Sequence, residues 1–258
     1  MNDFKLEVKK LSYKIDNNEI LKNINLKIQP GEIIGIIGAN GSGKTTLLKS
    51  LNGINEPTSG EIFWNEINIK KYSSKELAQN ISFMNQNTNI DFDFPCIDIV
   101  VLGRYPYLKR FQEYSDEDMR KAEFYMNKTN TLKFKDRMIT ELSGGEKQRV
   151  LFAKTLTQES KLILLDEPTA SLDMKYEEEI FSLISELKSQ NKSVVIVIHN
   201  LRIALKYCTR IILLSKGEIV ADDIPEKVIT EENLEKIFDI KAKVYKNKYN
   251  NELDFCIL

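Results

Sequence analysis

Histidine is almost missing. The chain of 258 residues has one, His199, in the stretch VVIVIHN at 194–200, and a lone histidine at a strand end acquires a role only if another motif requires an imidazole. Cysteine is scarce too: Cys96, Cys208 and Cys256 are odd in number and far apart, with no Cys-x-x-Cys. That excludes a disulfide framework or a zinc site and fits reduced thiols in cytosol. Net charge is small, because 37 basic residues meet 38 acidic ones, so no field favours nucleic acid or anionic lipid as the main partner. No run approaches the ~18 apolar residues of a membrane span. The start, MNDFKLEVKK, lacks the apolar centre of a signal peptide, so the chain is expected to stay in the cytosol. Internal repeats and low-complexity tracts are also lacking. What is present is an ordinary globular composition, 42% apolar, enough for one large domain or a domain with an inserted subdomain.

Local patterning implies a mixed α/β chain. Residues 6–28 alternate polar and apolar in short runs broken by Asp16, Asn17 and Asn18, which suits antiparallel strands with a turn there. GEIIGIIG at 31–38 is a continuous apolar run, as in a parallel strand covered on both faces. A β-like piece follows at 60–69. From about 88 to 159 the pattern becomes helical: Ser115 with Asp118 opens a capping box, and Met119, Ala122 and Met126 recur at helical spacing. Strands return at 161–168 and 193–199, separated by a helix carrying Ile180, Leu183, Ile184 and Leu187 on one face. Strand, helix, strand predicts a right-handed parallel crossover.

Chemistry enters at GANGSGKTT, residues 38–46, in the context of a strand before and a helix after. Gly38, Gly41 and Gly43 let the amides of Asn40, Ser42 and Thr46 close around phosphates, Lys44 brings a point charge, and the Thr45 hydroxyl can ligate magnesium. A second element, LILLDEP at 162–168, delivers Asp166 and Glu167 to the end of a buried strand. Buried carboxylates need a compensating partner. Magnesium beside a nucleotide is such a partner, with Asp166 in its shell and Glu167 left to polarise a water. Together these elements imply hydrolysis of a nucleoside triphosphate. Between them lies LSGGEKQRV at 142–150, where Ser143, Gly144 and Gly145 open a helix and form another ring of amides.

With these three motifs in this order the sequence resembles the ATP-binding cassette (ABC) family over nearly its whole length. The resemblance implies one ABC ATPase domain, 1–258: a mixed, mainly parallel core sheet with an antiparallel β subdomain (about 1–87 and 160–258) and an inserted helical subdomain (about 88–159). It implies ATP and Mg2+ as cofactors. It also implies a head-to-tail homodimer in which the phosphate loop of one copy and Ser143, Gly144 and Gly145 of the other enclose each ATP. Tyr13 would stack on adenine, Gln86 would link magnesium to the transmembrane partner, and Ser171, Leu172 and Asp173 would cross the dimer interface, Asp173 near the nucleotide. His199 would contact the γ-phosphate and position Glu167. Asn200 departs from the family pattern, which usually has aspartate there.

Two stretches, 98–111 and 199–240, are similar to the ATPases of importers for iron chelates, haem and cobalamin. They imply a peripheral subunit on the cytoplasmic face of the cell membrane, with integral-membrane permease subunits and, indirectly, a substrate-binding protein as partners. Arg104, Tyr105 and Tyr107 would then meet the permease. The alternative is a single cassette of another transport system or of iron-sulfur assembly, against which the stretch GRYPY at 103–107 argues by resemblance.

Overall fold

The computed structural model describes residues 4–86, 90, 92–249 and 251–258. In chain order, Leu6–Ile15 (β1) and Asn18–Ile28 (β2) form a hairpin whose turn places Asp16 at a left-handed φ of 52°. Then come Ile33–Ile37 (β3), Lys44–Leu51 (α1), Ser59–Trp64 (β4) and Ile67–Asn68 (β5). Ser74–Asn80 (α2) and Ile81–Met84 (β6) follow. Cys96–Val101 (α3), Asp116–Lys128 (α4) and Gly144–Thr157 (α5) are joined by short 3-10 turns. Leu162–Asp166 (β7), Met174–Ser189 (α6), Ser193–Val197 (β8) and Leu201–Tyr207 (α7) come next. The chain ends with Arg210–Ser215 (β9), Glu218–Asp223 (β10), Pro225–Val228 (α8), Glu231–Phe238 (α9), Ala242–Lys246 (β11) and Leu253–Ile257 (β12).

The elements group into two compact units, Met1–Lys71 with Ser193–Leu258, and Tyr72–Lys192. These boundaries differ from the 88–159 insert read in the sequence, whose first residues, 88 and 89, lie outside the described ones. α2, β6, β7 and α6 join the helices of 96–157 in the second unit because their contacts run mainly to one another.

In the first unit, β1 pairs antiparallel with β2 and β4, and β5 extends the layer. Leu6, Val8, Leu11, Leu21, Ile24, Leu26 and Ile28 are buried there, which is why the two strands alternate in sequence. β3 does not alternate. All five of its residues are buried, and it runs parallel between β8 and β9, with Ile34 opposite both Val195 and Arg210. Both neighbours and both faces being covered, each position selects an apolar residue. The piece read as β at 60–69 ends at Asn68, and 69–71 is a 3-10 turn.

In the second unit β6 runs parallel to β7, and α3 and α4 pack against α5. Ser115 caps α4 and shares a reciprocal capping box with Asp118, a device that contributes about 1 kcal/mol. Ala122 and Met126 turn inward as their spacing predicts, toward an α5 that buries Val150, Phe152, Ala153 and Leu156. Phe152, wholly buried, contributes about 1.5–3 kcal/mol by removal from water. On α6, Phe181 joins Ile180, Ile184 and Leu187 in the core, whereas Leu183 is half-buried. Among the described residues no helix is long and apolar enough to cross a membrane.

Candidate nucleotide site

The phosphate loop follows β3 directly, in the first unit. Gly38 has φ 152°, and a Cβ there would lie 2.1 Å from the Leu214 carbonyl oxygen, so no larger residue fits. Gly43, at φ 103°, opens α1, where a Cβ would lie 2.9 Å from Leu21 Cδ2 and 3.0 Å from the Ile20 carbonyl. No side chain caps α1 and no acidic residue stands in its first turn, which leaves its positive end available to an anion. The Lys44 ammonium turns back over the loop and donates to the carbonyls of Gly38 (2.9 Å) and Ala39 (3.0 Å). The Ser42 hydroxyl is buried with no hydrogen-bond partner among the described residues, and an orphaned hydroxyl beside the start of a helix fits a phosphate oxygen. Asn40 and Gly41 are exposed, and Thr45 and Thr46 half-buried. Tyr13 is half-buried in β1, opposite Leu21. His199 lies exposed just past β8. Asn200, the departure noted above, is the N-cap of α7 and accepts from the amides of Arg202 (3.2 Å) and Ile203 (3.4 Å). It supplies the acceptor that an aspartate would.

The second unit carries the acids. Asp166 ends β7 fully buried. Glu167, the next residue, has a left-handed φ of 49°, an unfavourable backbone state for a side chain with a Cβ and one typical of functional sites. The turn is held from two sides. Gln86 Nε2 donates to Glu167 Oε2 at 2.6 Å, and Gln148 Nε2 on α5 donates to the Glu167 carbonyl at 3.1 Å. Gln148 was not singled out in the sequence, although it stands only three residues past the Ser-Gly-Gly turn.

Ser143 caps α5. Its hydroxyl and amide both donate to the Glu146 carboxylate, at 2.8 and 2.9 Å, and those bonds hold the Glu146 carboxyl below the usual range. Gly145 passes close to the 171–173 segment, where a Cβ would lie 3.0 Å from the Ser171 carbonyl and 3.3 Å from Leu172 Cδ2. Asp173 caps α6 by accepting from the Tyr176 amide at 3.1 Å. Gln86, Asp166, Glu167, Ser143, Gly144, Gly145 and Asp173 therefore belong to one compact unit, and Tyr13, the phosphate loop and His199 to the other. Among the described residues no group of three His, Cys, Asp or Glu could hold a metal by itself. Gln86 and Asp166 in one unit, and Thr45 in the other, each carry an oxygen of the kind that ligates magnesium.

One expectation is overturned here. Arg104 is buried, at 6% exposure, and cannot meet a partner. Its guanidinium pairs with Asp118 at 3.0 Å and Glu159 at 3.2 Å, donates to the Thr157 carbonyl at 3.1 Å and stacks on Tyr107 at 4.0 Å. A planar fork with five donors ties the 3-10 turn after α3 to α4 and to the end of α5. Tyr107 bonds the Gln158 carbonyl at 2.9 Å. Of the three, Tyr105 and Tyr107 stay exposed, at 65% and 38%.

The model of the ABC transporter family matches residues 21–170, from β2 to just past the paired acids. The chain belongs to the ABC transporter family. An uncharacterized ABC transporter ATP-binding protein of Methanocaldococcus jannaschii is 36% identical over 240 residues, 93% of each chain. The ferric enterobactin transport ATP-binding protein FepC of Escherichia coli is 33% identical over 226 residues, 87% of this chain and 83% of that one. The cobalamin import ATP-binding protein BtuD of Halobacterium salinarum is 33% identical over 240 residues, 93% of this chain, but the chain spans only 60% of that protein's length. Among solved structures, an inward-facing ABC transporter of suspected metal-chelate type superposes with a TM-score of 0.85 at 30% identity, covering 100% of this chain and 98% of that one. The dimeric cassette MJ0796, in a post-hydrolysis state with ADP and phosphate, gives 0.76 at 30% identity, over 85% and 98%. This cassette accordingly has the α/β fold and the nucleotide-binding loop of its family.

Proposed function

We propose that this cassette is the ATP-hydrolysing subunit of an importer that carries an iron(III) chelate, haem or cobalamin through a separate permease. It would act as a homodimer on the cytoplasmic face of the membrane, with a substrate-binding protein delivering the cargo. The observation that carries the hydrolytic part is Glu167, half-buried at the end of β7 and held by Gln86 and Gln148, in a chain whose phosphate loop is shaped for an anion.

The loop amides, Ser42 and Lys44 would hold the terminal phosphates of ATP, and Tyr13 would stack on the adenine. Thr45, Asp166 and Gln86 would hold magnesium, which when bound offsets charge on the phosphate oxygens. Glu167 would accept the proton of a water as its oxygen bonds the γ-phosphorus and the bond to the β-phosphate bridge breaks, with ADP and phosphate as products. His199 would position Glu167 and touch the γ-phosphate. Ser143, Gly144 and Gly145 would complete the site of a second copy, with Asp173 at the interface. Closure on ATP and reopening after cleavage would move the permease.

The cargo class rests on relatives named for enterobactin and cobalamin. Vesicles holding the subunit with its co-purified permease test it: ATP-dependent uptake of labelled ferric chelate, haem or cobalamin is expected. Uptake of sugars, peptides or lipids alone would sink the importer branch and leave the ATPase.

A further inference from the structure

A cleft of about 720 Å³ opens in the second unit between the end of α4, the 3-10 turn Leu132–Phe134 and the first turns of α6. It uses none of the residues assigned above to ATP. We propose that it binds a second, soluble phosphate-bearing anion of small-molecule size, a pyrophosphate or phosphoester.

The balance of its walls points there. Lys133, Lys135 and Lys175 line the cleft together with Glu123 and Glu179, and each carboxylate has a partner. Glu123 pairs with Lys135 at 3.4 Å, and Glu179 accepts from the Asn130 amide at 2.8 Å. Lys133 and Lys175 make no ion pair among the described residues. Each only overlies the ring beside it, Phe134 at 4.9 Å and Tyr176 at 5.7 Å. Behind the wall lies a further cation. Arg149, 4% exposed, stacks on Tyr176 at 3.8 Å and donates to the Asn130 carbonyl at 3.3 Å, and both of those residues line the cleft.

Its Nε has no hydrogen-bond partner among the described residues. The nearby Glu146 carboxyl feels the charge through space but forms no bond with it among the described residues. A buried guanidinium held by one carbonyl and one ring is under-compensated, since burying a charge is costly unless it is paired. An anion in the cleft would offset it across the tyrosine. The volume suits a small ligand, since such sites run from about 300 to 1,000 Å³. A concave cleft with cations on two walls favours a compact soluble ion over a flat membrane surface.

Inorganic pyrophosphate titrated into the protein by calorimetry tests this, with Lys44→Ala weakening the phosphate loop and Lys133→Glu with Lys175→Glu reversing the cleft. The Lys44→Ala protein is expected to keep a one-to-one site that weakens at least about tenfold when the two cleft lysines are reversed. Pyrophosphate should also protect Lys133 and Lys175 from amine-labelling reagents, read by mass spectrometry on the folded protein. Loss of all binding with Lys44→Ala alone would overturn the cleft site. So would an unchanged affinity after reversal, or binding of phosphatidic acid vesicles through these lysines without binding of pyrophosphate. Because Lys44 and the cleft pair are varied separately, failure of the cleft is read apart from failure of the ATP site.

Discussion

Gln86 Nε2 lies 2.6 Å from Glu167 Oε2, a bond across 81 residues of sequence that aims one oxygen of a carboxylate at the end of β7. With the Gln148 bond to its carbonyl, the glutamate is held by both its side chain and its backbone. Preorganisation of this kind is what a group that takes a proton from water requires.

Replacing Glu167 by Gln retains the shape and removes the base. Turnover of ATP should fall by about 10²–10⁴, while binding of Mg-ATP is retained and the protein accumulates as a closed dimer. Size-exclusion chromatography with and without Mg-ATP reads the dimer. Turnover at the parent rate would remove Glu167 from the proposal.

For Lys44→Ala, weaker nucleotide binding is expected, by about ten- to a hundredfold for one charge-assisted contact of about 1.5–3 kcal/mol. The ammonium donates to the loop carbonyls of Gly38 and Ala39 and not into the apolar core, so the melting temperature should move little. Titration with a fluorescent ATP analogue beside a melting curve separates the two effects.

His199 is exposed, and His199→Ala should leave the fold intact and slow hydrolysis by about tenfold or more, with a small change in ATP affinity. An unchanged rate would return the single histidine to an ordinary surface residue.

Arg104→Glu reads the corrected role. Placing a carboxylate between Asp118 and Glu159 breaks a buried network, and about 3–5 kcal/mol of stability should go with it. Thermal unfolding checks this. Unaltered melting would contradict the structural role. Tyr105→Ala, at an exposed position, should melt like the parent.

Thiol chemistry gives a pH-dependent expectation. Burial pushes the Cys96 thiol up to about 11 and the Cys208 thiol up to about 12, whereas Cys256 is exposed. At pH 8 a disulfide exchange reagent should label one thiol in the native protein and three after denaturation. The unfolded chain releases protons from these thiols at lower pH than the folded chain does. Stability should therefore fall as pH rises above about 9, the ordinary thiol value, toward 11 and 12. Rapid native labelling of all three thiols would contradict the burial.

The sequence by itself determined whatever follows from short-range order. The apolar run of β3, the glycines and lysine after it, the capping box at Ser115 and the acids ending β7 are local, because a buried strand, a phosphate loop and a helix cap each place their requirements within a few neighbouring residues. Tertiary structure alone decided what depends on distant contacts. Arg104 reads as a surface arginine in GRYPY until Asp118 and Glu159 are brought around it, and Gln148 reads as one more helical residue until its amide meets the Glu167 carbonyl. The boundary of the second unit moved for the same reason. α2, β6 and α6 group by what they pack against, and packing partners far apart in the chain leave no mark in local spacing.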